Sequence, residues 1–385
     1  MSGSAMQAAD IVIIGGGVSG LYAAWRLQQQ GITDWRLIEA RDTLGGRILS
    51  VPASAPGVAQ APQAGSATNR TNCFDLGPSW FWPGCQQQLD RLVQQLGLER
   101  FEQYETGDMV VERSPHSPPV RMRGYVNSPP SMRLVGGMGS LIDALHQCLD
   151  RTRIVTGQSV RRMRCTEAHV ELDAEDASGQ TTTWRTGQVL LAMPPRLAVE
   201  RIEFTPALPP SLAQAWQATA TWMAPHAKYF AIYERPFWRE QGLSGEARSA
   251  CGPLGEIHDA SIPGGSAALF GFFGLPASLR QSVTEEVLRS HCRAQLARLF
   301  GPEAAHPRAE LFKDWSVDPY TATETDVGNA GQHLEAPAMR ASTGFWAGRL
   351  VGIGSEWSPQ FPGYVAGAIE AASLGLETLH ARRQS

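Results

Sequence analysis

The amino-acid sequence predicts an α/β protein in which a parallel-sheet domain is combined with a smaller mixed-sheet domain of α+β type. Three observations support this. A glycine-rich turn joins a short apolar strand to a helix near residue 15, short alternating runs fill the middle of the chain, and another apolar strand precedes a turn near residue 350. A chain of 385 residues with 43% hydrophobic content can fill two cores.

The first predicted element is a β-α-β unit. The run DIVII (10–14) is typical of a buried strand, the turn GGGVSG leads into the helical pattern LYAAWRLQQQ, and WRLIEA forms a second strand. Such a unit opens a dinucleotide-binding fold. Residues 51–72 are rich in Ala, Pro, Gly, Ser and Gln and lack periodicity, which predicts a mobile surface loop.

Helical and strand patterns then alternate to the end of the chain. The first and last strands are expected to belong to one nucleotide-binding sheet, with other material inserted between them. The predicted elements are a helix at 86–98, a glycine turn and amphipathic helix at 136–149, an antiparallel meander at 154–192, a strand around residue 228, a helix at 285–300 and, at 350–357, a buried strand that leads into a turn.

Composition excludes several function classes. A formal charge of -4 and a pI near 6.2, with no dense Lys/Arg run, argue against a nucleic-acid partner. No signal peptide is recognisable, and no apolar run approaches the roughly 18 residues of a membrane span, so a cytoplasmic protein is expected. The six cysteines form no CxxC pair or Cys/His ligand spacing, so free thiols and no metal site are expected.

The turn at residues 15–20 carries the spacing GxGxxG. Gly15 permits the tight turn, Gly17 lets the backbone approach a pyrophosphate, and Gly20 allows close helix packing, while the helix N-terminus faces the phosphates. Glu39 closes the second strand, where a carboxylate can accept hydrogen bonds from the adenosine ribose. Together these features predict a bound dinucleotide.

The following residues, EARDTLGGR (39–47), continue into a second glycine pair and an arginine. This stretch resembles the flavin amine oxidase family, the monoamine and polyamine oxidases and their relatives. The resemblance implies an FAD-binding Rossmann-like sheet of glutathione-reductase type. It also implies that the GGR stretch lies against the FAD pyrophosphate, which Arg47 helps to neutralise.

The resemblance extends along most of the chain. FDLGPSWFWP (74–83) looks like the family segment that approaches the isoalloxazine, RLVGGMGSLIDAL (133–145) like the return to the FAD domain, and LVGIGSEWSPQFPGYVAGAIEAA (350–372) like the final FAD motif. The cofactor-binding residues that it implies are Gly15, Gly17, Ser19, Gly20, Glu39, Ala40, Arg41, Gly46, Arg47, Gly77, Pro78, Ser79, Trp80, Val160, Gly354, Ser355, Glu356, Gly363, Tyr364 and Val365.

Lys228 is one of only two lysines, with Lys313, among 33 Lys and Arg residues. It lies in an alternating strand of which neither face is polar. From the residues alone, either a surface lysine with its stem on an apolar patch or a lysine with a shifted pKa is consistent with this pattern. KYFAIYERPFW resembles the family segment with a lysine ahead of PFW, which implies that Lys228 holds a water against flavin N5.

Two aromatic residues complete the implied catalytic set with Lys228. Tyr364 matches one wall of the aromatic cage that guides an amine to the flavin, and aromatic faces attract such a nitrogen. Gly363 and Tyr364 open the last helix, whose N-terminus is expected to stabilise negative charge at the flavin pyrimidine edge. Trp315 matches a flavin-side tryptophan of the family.

The sequence departs from the family in three respects. The second cage aromatic would fall near Thr325, which is not aromatic, with Tyr320 or Trp357 as the substitutes considered. The last cysteine is Cys292, so the cysteine of covalent-flavin members is absent and FAD is expected to bind non-covalently. Only about 40 residues separate the helix at 86–98 from the returning glycine turn, so most of the helical roof of the substrate cavity is missing.

The expected domain boundaries follow the same resemblance. A discontinuous FAD-binding domain is expected at 8–84, 134–217 and 319–385, and a substrate domain at 85–133 and 218–318.

The implied function is FAD-dependent oxidation of a small-molecule amine to an imine, and then to an aldehyde or ketone, with O₂ reduced to H₂O₂. An FAD-dependent desaturase or porphyrinogen-oxidase-like enzyme is one alternative, since one fold serves many reactions. A catalytically degenerate flavoprotein that acts as a redox or interaction partner is the other. A homo-oligomer is left open, because the missing roof can be replaced by a second subunit.

Overall fold

A computed structural model of the protein describes residues 6–53, 72–328 and 335–383. Most of the loop predicted at 51–72 lies outside these residues. Val51 and Pro52, at its start, belong instead to a short strand, and the Val51 side chain is fully buried.

The described strands are β1 (Gln7–Ile14), β2 (Trp35–Ile38), β3 (Ser50–Pro52), β4 (Cys73–Asp75), β5 (Arg100–Glu102), β6 (Asp108–Glu112), β7 (Val120–Arg123), β8 (Met132–Leu134), β9 (Ile154–Val155), β10 (Ser159–Cys165), β11 (Val170–Glu175), β12 (Thr181–Leu191), β13 (Glu203–Thr205), β14 (Ala227–Tyr233), β15 (Leu243–Ser249), β16 (Leu254–Asp259), β17 (Ala267–Phe273), β18 (Ala309–Asp314) and β19 (Leu350–Gly352). The described α-helices are α1 (Val18–Gln29), α2 (Gln87–Gln95), α3 (Gly139–Gln147), α4 (Pro195–Arg201), α5 (Pro210–Ala218), α6 (Phe237–Glu240), α7 (Ala277–Gln281), α8 (Glu285–Phe300), α9 (Glu324–Gly328) and α10 (Val365–Arg383).

The first and last parts of the chain share one sheet, as the sequence predicts. Its order is β13-β10-β11-β12-β1-β2-β9, with β19 paired to the end of β12. The pairs β1·β2, β1·β12, β2·β9 and β12·β19 are parallel, whereas β10, β11 and the start of β12 form the predicted antiparallel meander. Strand β12 therefore belongs to both the meander and the parallel part of the sheet.

Helices cover both faces of this sheet. Helices α1, α3 and α10 contribute Leu21, Leu141 and Ile369 to one apolar core. On the opposite face, α4 and α5 contribute Ala198 and Trp216 to a second core. Parallel strands buried on both faces have near-continuous apolar sequences, which explains the run IVII in β1.

The second large sheet is mixed and has the order β18-β14-β17-β16-β15-β6-β7. Every residue of β14 is buried. Its alternating residues enter two different cores, with Tyr229 facing α8 and Phe230 facing β3 and β4. These two cores explain why neither face of the strand is polar in sequence. The two large sheets together confirm the predicted fold class.

The segment between α2 and α3 contains no helix among its described residues. It forms the short strands β5, β6, β7 and β8. The predicted loss of the helical roof therefore agrees with the structure. None of the described helices combines the length and apolar character needed to cross a bilayer.

Candidate active site

An extended cavity of about 740 Å³ lies between the two large sheets. Its volume is in the range of small-molecule and cofactor sites. The walls come from the carboxyl ends of β1 and β2, the N-terminal turns of α1 and α10, and the strands β14 to β17. The predicted site residues that line it are Gly15, Gly17, Ser19, Glu39, Ala40, Arg41, Gly46, Arg47, Gly77, Pro78, Ser79, Trp80, Val160, Lys228, Gly354, Ser355, Gly363, Tyr364 and Val365.

Three predicted site residues, Gly20, Glu356 and Trp315, do not line the cavity. Gly20 packs on the glycine turn, where a Cβ would lie 2.0 Å from the Gly15 carbonyl oxygen. The Trp315 indole nitrogen donates a hydrogen bond to the Leu76 carbonyl at 3.0 Å, so this ring lies behind the wall.

The glycine turn leaves the start of α1 open to the cavity. Gly15 has φ +110°, a conformation that favours glycine. Gly17 is the N-cap of α1, and among the described residues a Cβ there would meet only the Gly45 carbonyl oxygen, at 3.8 Å. No side chain caps this helix, and its first turn holds no acidic residue, so its positive end is directed at the cavity.

Arg47 is held in the cavity wall by Glu356. The guanidinium donates to both carboxylate oxygens, at 2.5 and 3.0 Å, and also to the Ser355 hydroxyl at 3.1 Å. It donates further to the Trp222 carbonyl at 3.2 Å. Bidentate pairs fix the plane of an arginine, so Glu356 acts through Arg47 and not by lining the cavity.

At one end of the cavity, the Glu39 carboxylate accepts hydrogen bonds from the Gly16 amide at 2.5 Å and the Arg41 amide at 2.8 Å. Each carboxylate oxygen keeps a further lone pair for a ligand hydroxyl. The buried Gln158 Oε1, in the same wall, has no hydrogen-bond partner in the described residues. Buried polar atoms normally form hydrogen bonds, so this oxygen is available to accept one from a ligand.

From one end of the cavity to the other, these features suit the successive parts of FAD. The Glu39 and Gln158 end suits an adenosine, and the uncapped start of α1 with Arg47 suits a pyrophosphate. Arg41, Arg161 and Arg201 add positive charge to the walls. The far end, where α10 begins and β14 passes, is lined mainly by aromatic and apolar groups, as a flavin ring requires.

Lys228 lies at this far end and is 1% exposed. Its Nζ donates to the Gly77 carbonyl at 2.6 Å, the Ser79 hydroxyl at 3.0 Å and the Asp75 carbonyl at 3.3 Å. The Phe270 and Phe272 rings lie 4.7 and 4.8 Å from Nζ. The alternative of a surface lysine therefore does not describe this side chain.

Burial lowers the pKa of Lys228 to about 7, because desolvation disfavours the charged amine. The negative charge of Asp75 opposes this shift, and the positive charge of Arg133 adds to it. Burial also raises the pKa of the Asp75 carboxyl. The cavity therefore contains an amine that changes its charge near neutral pH.

The aromatic partner of Tyr364 is Trp82, which the sequence analysis missed. The two rings meet edge to face with centroids 6.3 Å apart, and both line the cavity. Trp357, considered as the second cage residue, packs on Trp216 outside the cavity. Tyr320 lines the cavity, but its ring lies against Arg41.

Other cavity residues also escaped the sequence analysis. Trp222 and His226 pack together, with ring centroids 5.1 Å apart, in the loop just before β14. Met223 in the same loop is a non-glycine residue at φ +75°, a conformation concentrated at functional sites. The aromatic loop TWMAPH next to the Lys228 strand was the available sequence signal.

Charged residues line the far side of the aromatic end. Glu256 on β16 and Arg248 on β15 both face the cavity and form an ion pair. His258 Nε2 lies 2.6 Å from Glu256 Oε1. Burial raises the pKa of Glu256, but the hydrogen bond and charge of His258 and the charge of Arg248 outweigh this and lower it to about 2. Glu256 is therefore ionised at neutral pH.

Known proteins are similar to this chain in sequence and in fold. Residues 18–124 and 116–374 match the sequence model of the family described as flavin containing amine oxidoreductase. Amine oxidase [flavin-containing] B of Sus scrofa is 25% identical, over 97% of this chain and 86% of its own. Putrescine oxidase of Kocuria rosea is 29% identical, over 53% of this chain and 45% of its own.

A solved structure shows the same fold. Cyclohexylamine oxidase from Brevibacterium oxydans aligns with a TM-score of 0.78 at 21% identity, over 98% of this chain and 100% of the other. Because the family match covers most of the chain and the cavity is arranged for FAD, this protein belongs to the flavin-containing amine oxidoreductases and is an FAD-dependent enzyme of that family.

Proposed function

We propose that the protein oxidises a small-molecule amine to an imine, which water hydrolyses to an aldehyde or ketone, with O₂ as the electron acceptor. The observation that carries this proposal is the buried Lys228, which lies in the wall at the aromatic end of the FAD-shaped cavity. When bound, FAD supplies the redox chemistry, taking two electrons from the amine and passing them to O₂ to give H₂O₂.

The chain's own residues bind and orient the amine. Tyr364 and Trp82 present aromatic faces to a substrate nitrogen, and Trp222 adds apolar surface beside them. Trp80 lies over the floor of the sheet, held by a 2.8 Å hydrogen bond from its indole nitrogen to Gln103. These rings form the apolar surface against which the amine is oxidised.

Lys228 supplies the polar group at this place. A lysine whose pKa is lowered to about 7 can hold a water molecule and can accept or give a proton at Nζ. An arginine could not, because its guanidinium stays charged and would not fit the three acceptors around Nζ.

The proposal includes non-covalent binding of FAD. No cysteine is found among the described residues that line the cavity, and Cys292, which lies on α8, is buried in an apolar core. It also retains the domain division into 8–84, 134–217 and 319–385 for FAD, and 85–133 and 218–318 for substrate. The cavity between the two large sheets is consistent with this division.

Anaerobic mixing of the FAD-loaded protein with a panel of amines tests the proposal. Bleaching of the flavin absorbance, followed by recovery and H₂O₂ release when O₂ is added, is the expected result. Bleaching by alkene or polycyclic precursors only would favour a desaturase or porphyrinogen-oxidase-like reaction. Bound FAD that no compound bleaches would indicate a degenerate flavoprotein, and a peroxidase-coupled assay identifies the product of O₂.

A further inference from the structure

The indole nitrogen of Trp80 is connected to the second large sheet through one glutamine side chain. Trp80 Nε1 donates to Gln103 Oε1 at 2.8 Å, and Gln103 Nε2 donates to the Asp259 carbonyl at 2.7 Å and the Tyr104 carbonyl at 3.1 Å. Trp80 lines the cavity, whereas Gln103 lies behind it. An effect of Gln103 on the site is therefore expected to pass through Trp80.

The three groups that meet here require an amide between them. An indole nitrogen is a donor only, and backbone carbonyl oxygens are acceptors only. The side chain that joins them must accept from Trp80 and donate to two carbonyl oxygens, and the amide of Gln103 does both. A glutamate would place a second set of acceptors against these carbonyls, and a lysine or arginine has no acceptor for the indole.

Both ends of this connection are held in place. Asp259 ends β16 and is 1% exposed, and its carboxylate accepts from the Trp238 indole at 2.8 Å and from Arg239 at 2.7 and 2.9 Å. The backbone amide of Gln103 donates to the Ser131 carbonyl at 2.9 Å. Gln103 therefore links Trp80 to backbone that is itself fixed by several hydrogen bonds.

Trp80 ends the segment that contacts the buried lysine. The Gly77 carbonyl and the Ser79 hydroxyl in this segment both accept from Lys228 Nζ. The Trp80 ring also packs on Phe270, with centroids 5.4 Å apart, and the Phe270 ring lies 4.7 Å from the same Nζ. A shift of Trp80 would therefore disturb both the acceptors and the aromatic surface around the amine.

Gln103 follows β5, in the segment between α2 and α3 that contains no helix among its described residues. We propose that Gln103 is a positioning residue for the oxidation of the amine, which fixes Trp80 and thereby the acceptors around Lys228. This inference rests on the proposed function. The short segment found in place of the helical roof thus contributes to the reaction from behind the cavity wall.

The test is a double-mutant cycle on the FAD-loaded full chain, with Gln103→Met and Trp80→Phe. Methionine has a similar length but no amide, and phenylalanine keeps a ring without the N–H group. Gln103→Met is expected to lower kcat/KM for an amine substrate roughly fivefold, as for loss of one hydrogen bond. The same change in the Trp80→Phe background should have almost no effect, because the bond is already absent. Flavin absorbance checks that each variant retains FAD.

Hydrogen exchange of the Trp80 indole N–H, followed by NMR, measures the connection without turnover. The signal is identified by its absence in Trp80→Phe, and Gln103→Met should speed its exchange roughly fivefold. Gln281→Met is the matched control, because the Gln281 amide donates to the Ser316 hydroxyl at 3.0 Å and lies outside the cavity lining. This variant should match wild type in kcat/KM and in exchange.

An unchanged kcat/KM in Gln103→Met would overturn this inference. An equal loss in the wild-type and Trp80→Phe backgrounds would also overturn it, because Gln103 would then act by general destabilisation and not through Trp80. Failure of every amine to bleach the flavin would overturn the proposed function and the role of Gln103 in it. The exchange rates would still report whether Gln103 holds Trp80, so the two failures can be distinguished.

Discussion

The side-chain nitrogen of Lys228 lies 2.6 Å from the carbonyl oxygen of Gly77. With the Ser79 hydroxyl and the Asp75 carbonyl, this oxygen completes a set of three acceptors around Nζ. An ammonium has three N–H donors and is fully hydrogen-bonded by this set. A neutral amine has two donors and a lone pair, which can accept from Ser79 or from a water molecule. Protonation of Lys228 therefore decides whether its nitrogen can accept a hydrogen bond.

Replacement of Lys228 by methionine is expected to leave FAD bound but to slow reoxidation of the reduced flavin by O₂. Methionine keeps the apolar stem and removes the nitrogen to which the proposed function assigns the assistance of O₂ reduction. Stopped-flow mixing of the reduced variant with O₂ measures the rate constant. Lys313→Met is the control, because Lys313 is the only other lysine, pairs with Asp318 and does not line the cavity. Equal reoxidation rates in wild type and Lys228→Met would refute the assigned role.

The reoxidation rate should also depend on pH. The pKa of Lys228 is lowered to about 7, so the amine is charged below this pH and neutral above it. A positive charge stabilises the negative charge that develops on O₂ as it is reduced. We therefore expect the rate constant to fall as the pH rises through about 7. The Lys228→Met variant should lack this inflection, and a rate that rises with pH would indicate that the neutral amine is the active form.

Gly17→Val is expected to abolish FAD binding. A side chain at Gly17 would project into the cavity at the start of α1, where the backbone must approach the pyrophosphate. Purification without the flavin colour is the expected result. Gly328→Val is the control, since a Cβ at Gly328 meets no atom of the described residues within 4 Å and this residue is outside the cavity lining. A normally yellow Gly17→Val protein would contradict the placement of the turn.

Trp82→Ala is expected to raise KM for amines by up to about tenfold while FAD stays bound. This magnitude corresponds to loss of one aromatic wall at a partly exposed site. The value of kcat should change less, because Lys228 is untouched. Steady-state kinetics on the FAD-loaded variant measures both parameters. Trp82→Phe should retain most of the affinity, and an unchanged KM in Trp82→Ala would show that Trp82 is not part of the cage.

Asp326→Ala is expected to destabilise the protein by about 3–5 kcal/mol, because it leaves Arg196 buried without its ion-pair partner. Asp326 also accepts hydrogen bonds from the Thr221 amide at 2.9 Å and the Thr323 hydroxyl at 2.8 Å. Urea unfolding measures the change. Glu303→Gln, which removes an exposed ion pair, should unfold like wild type. Unfolding of Asp326→Ala at wild-type urea concentrations would disprove the stabilising role.

The parts of the site that lie on contiguous motifs could be predicted from the sequence. The glycine turn before α1, the carboxylate of Glu39 and the alternation around Lys228 each combine local geometry with a recognisable pattern. The absence of a polar face on β14 was visible in the sequence, but its cause was not. Two separate cores on the two sides of the strand explain it.

The remaining site residues depend on tertiary structure. Trp82 and Tyr364 are far apart in sequence, at positions 82 and 364 of 385 residues, and no local pattern encodes their contact. Lys228 and Glu256 both pair with Phe272, on the strand between them. This alignment depends on strand register, which the sequence of a single strand does not specify. Trp315 is the opposite case. Its position matches the family, but the residue packs behind the cavity wall instead of lining the cavity.

Because both faces of β14 are packed into separate cores, the strand carrying Lys228 has little freedom to shift. A slip of one residue would place Tyr229 where Lys228 now lies and would bury the amine among the apolar residues beside α8. Random substitutions that improve turnover should therefore be rare in this strand.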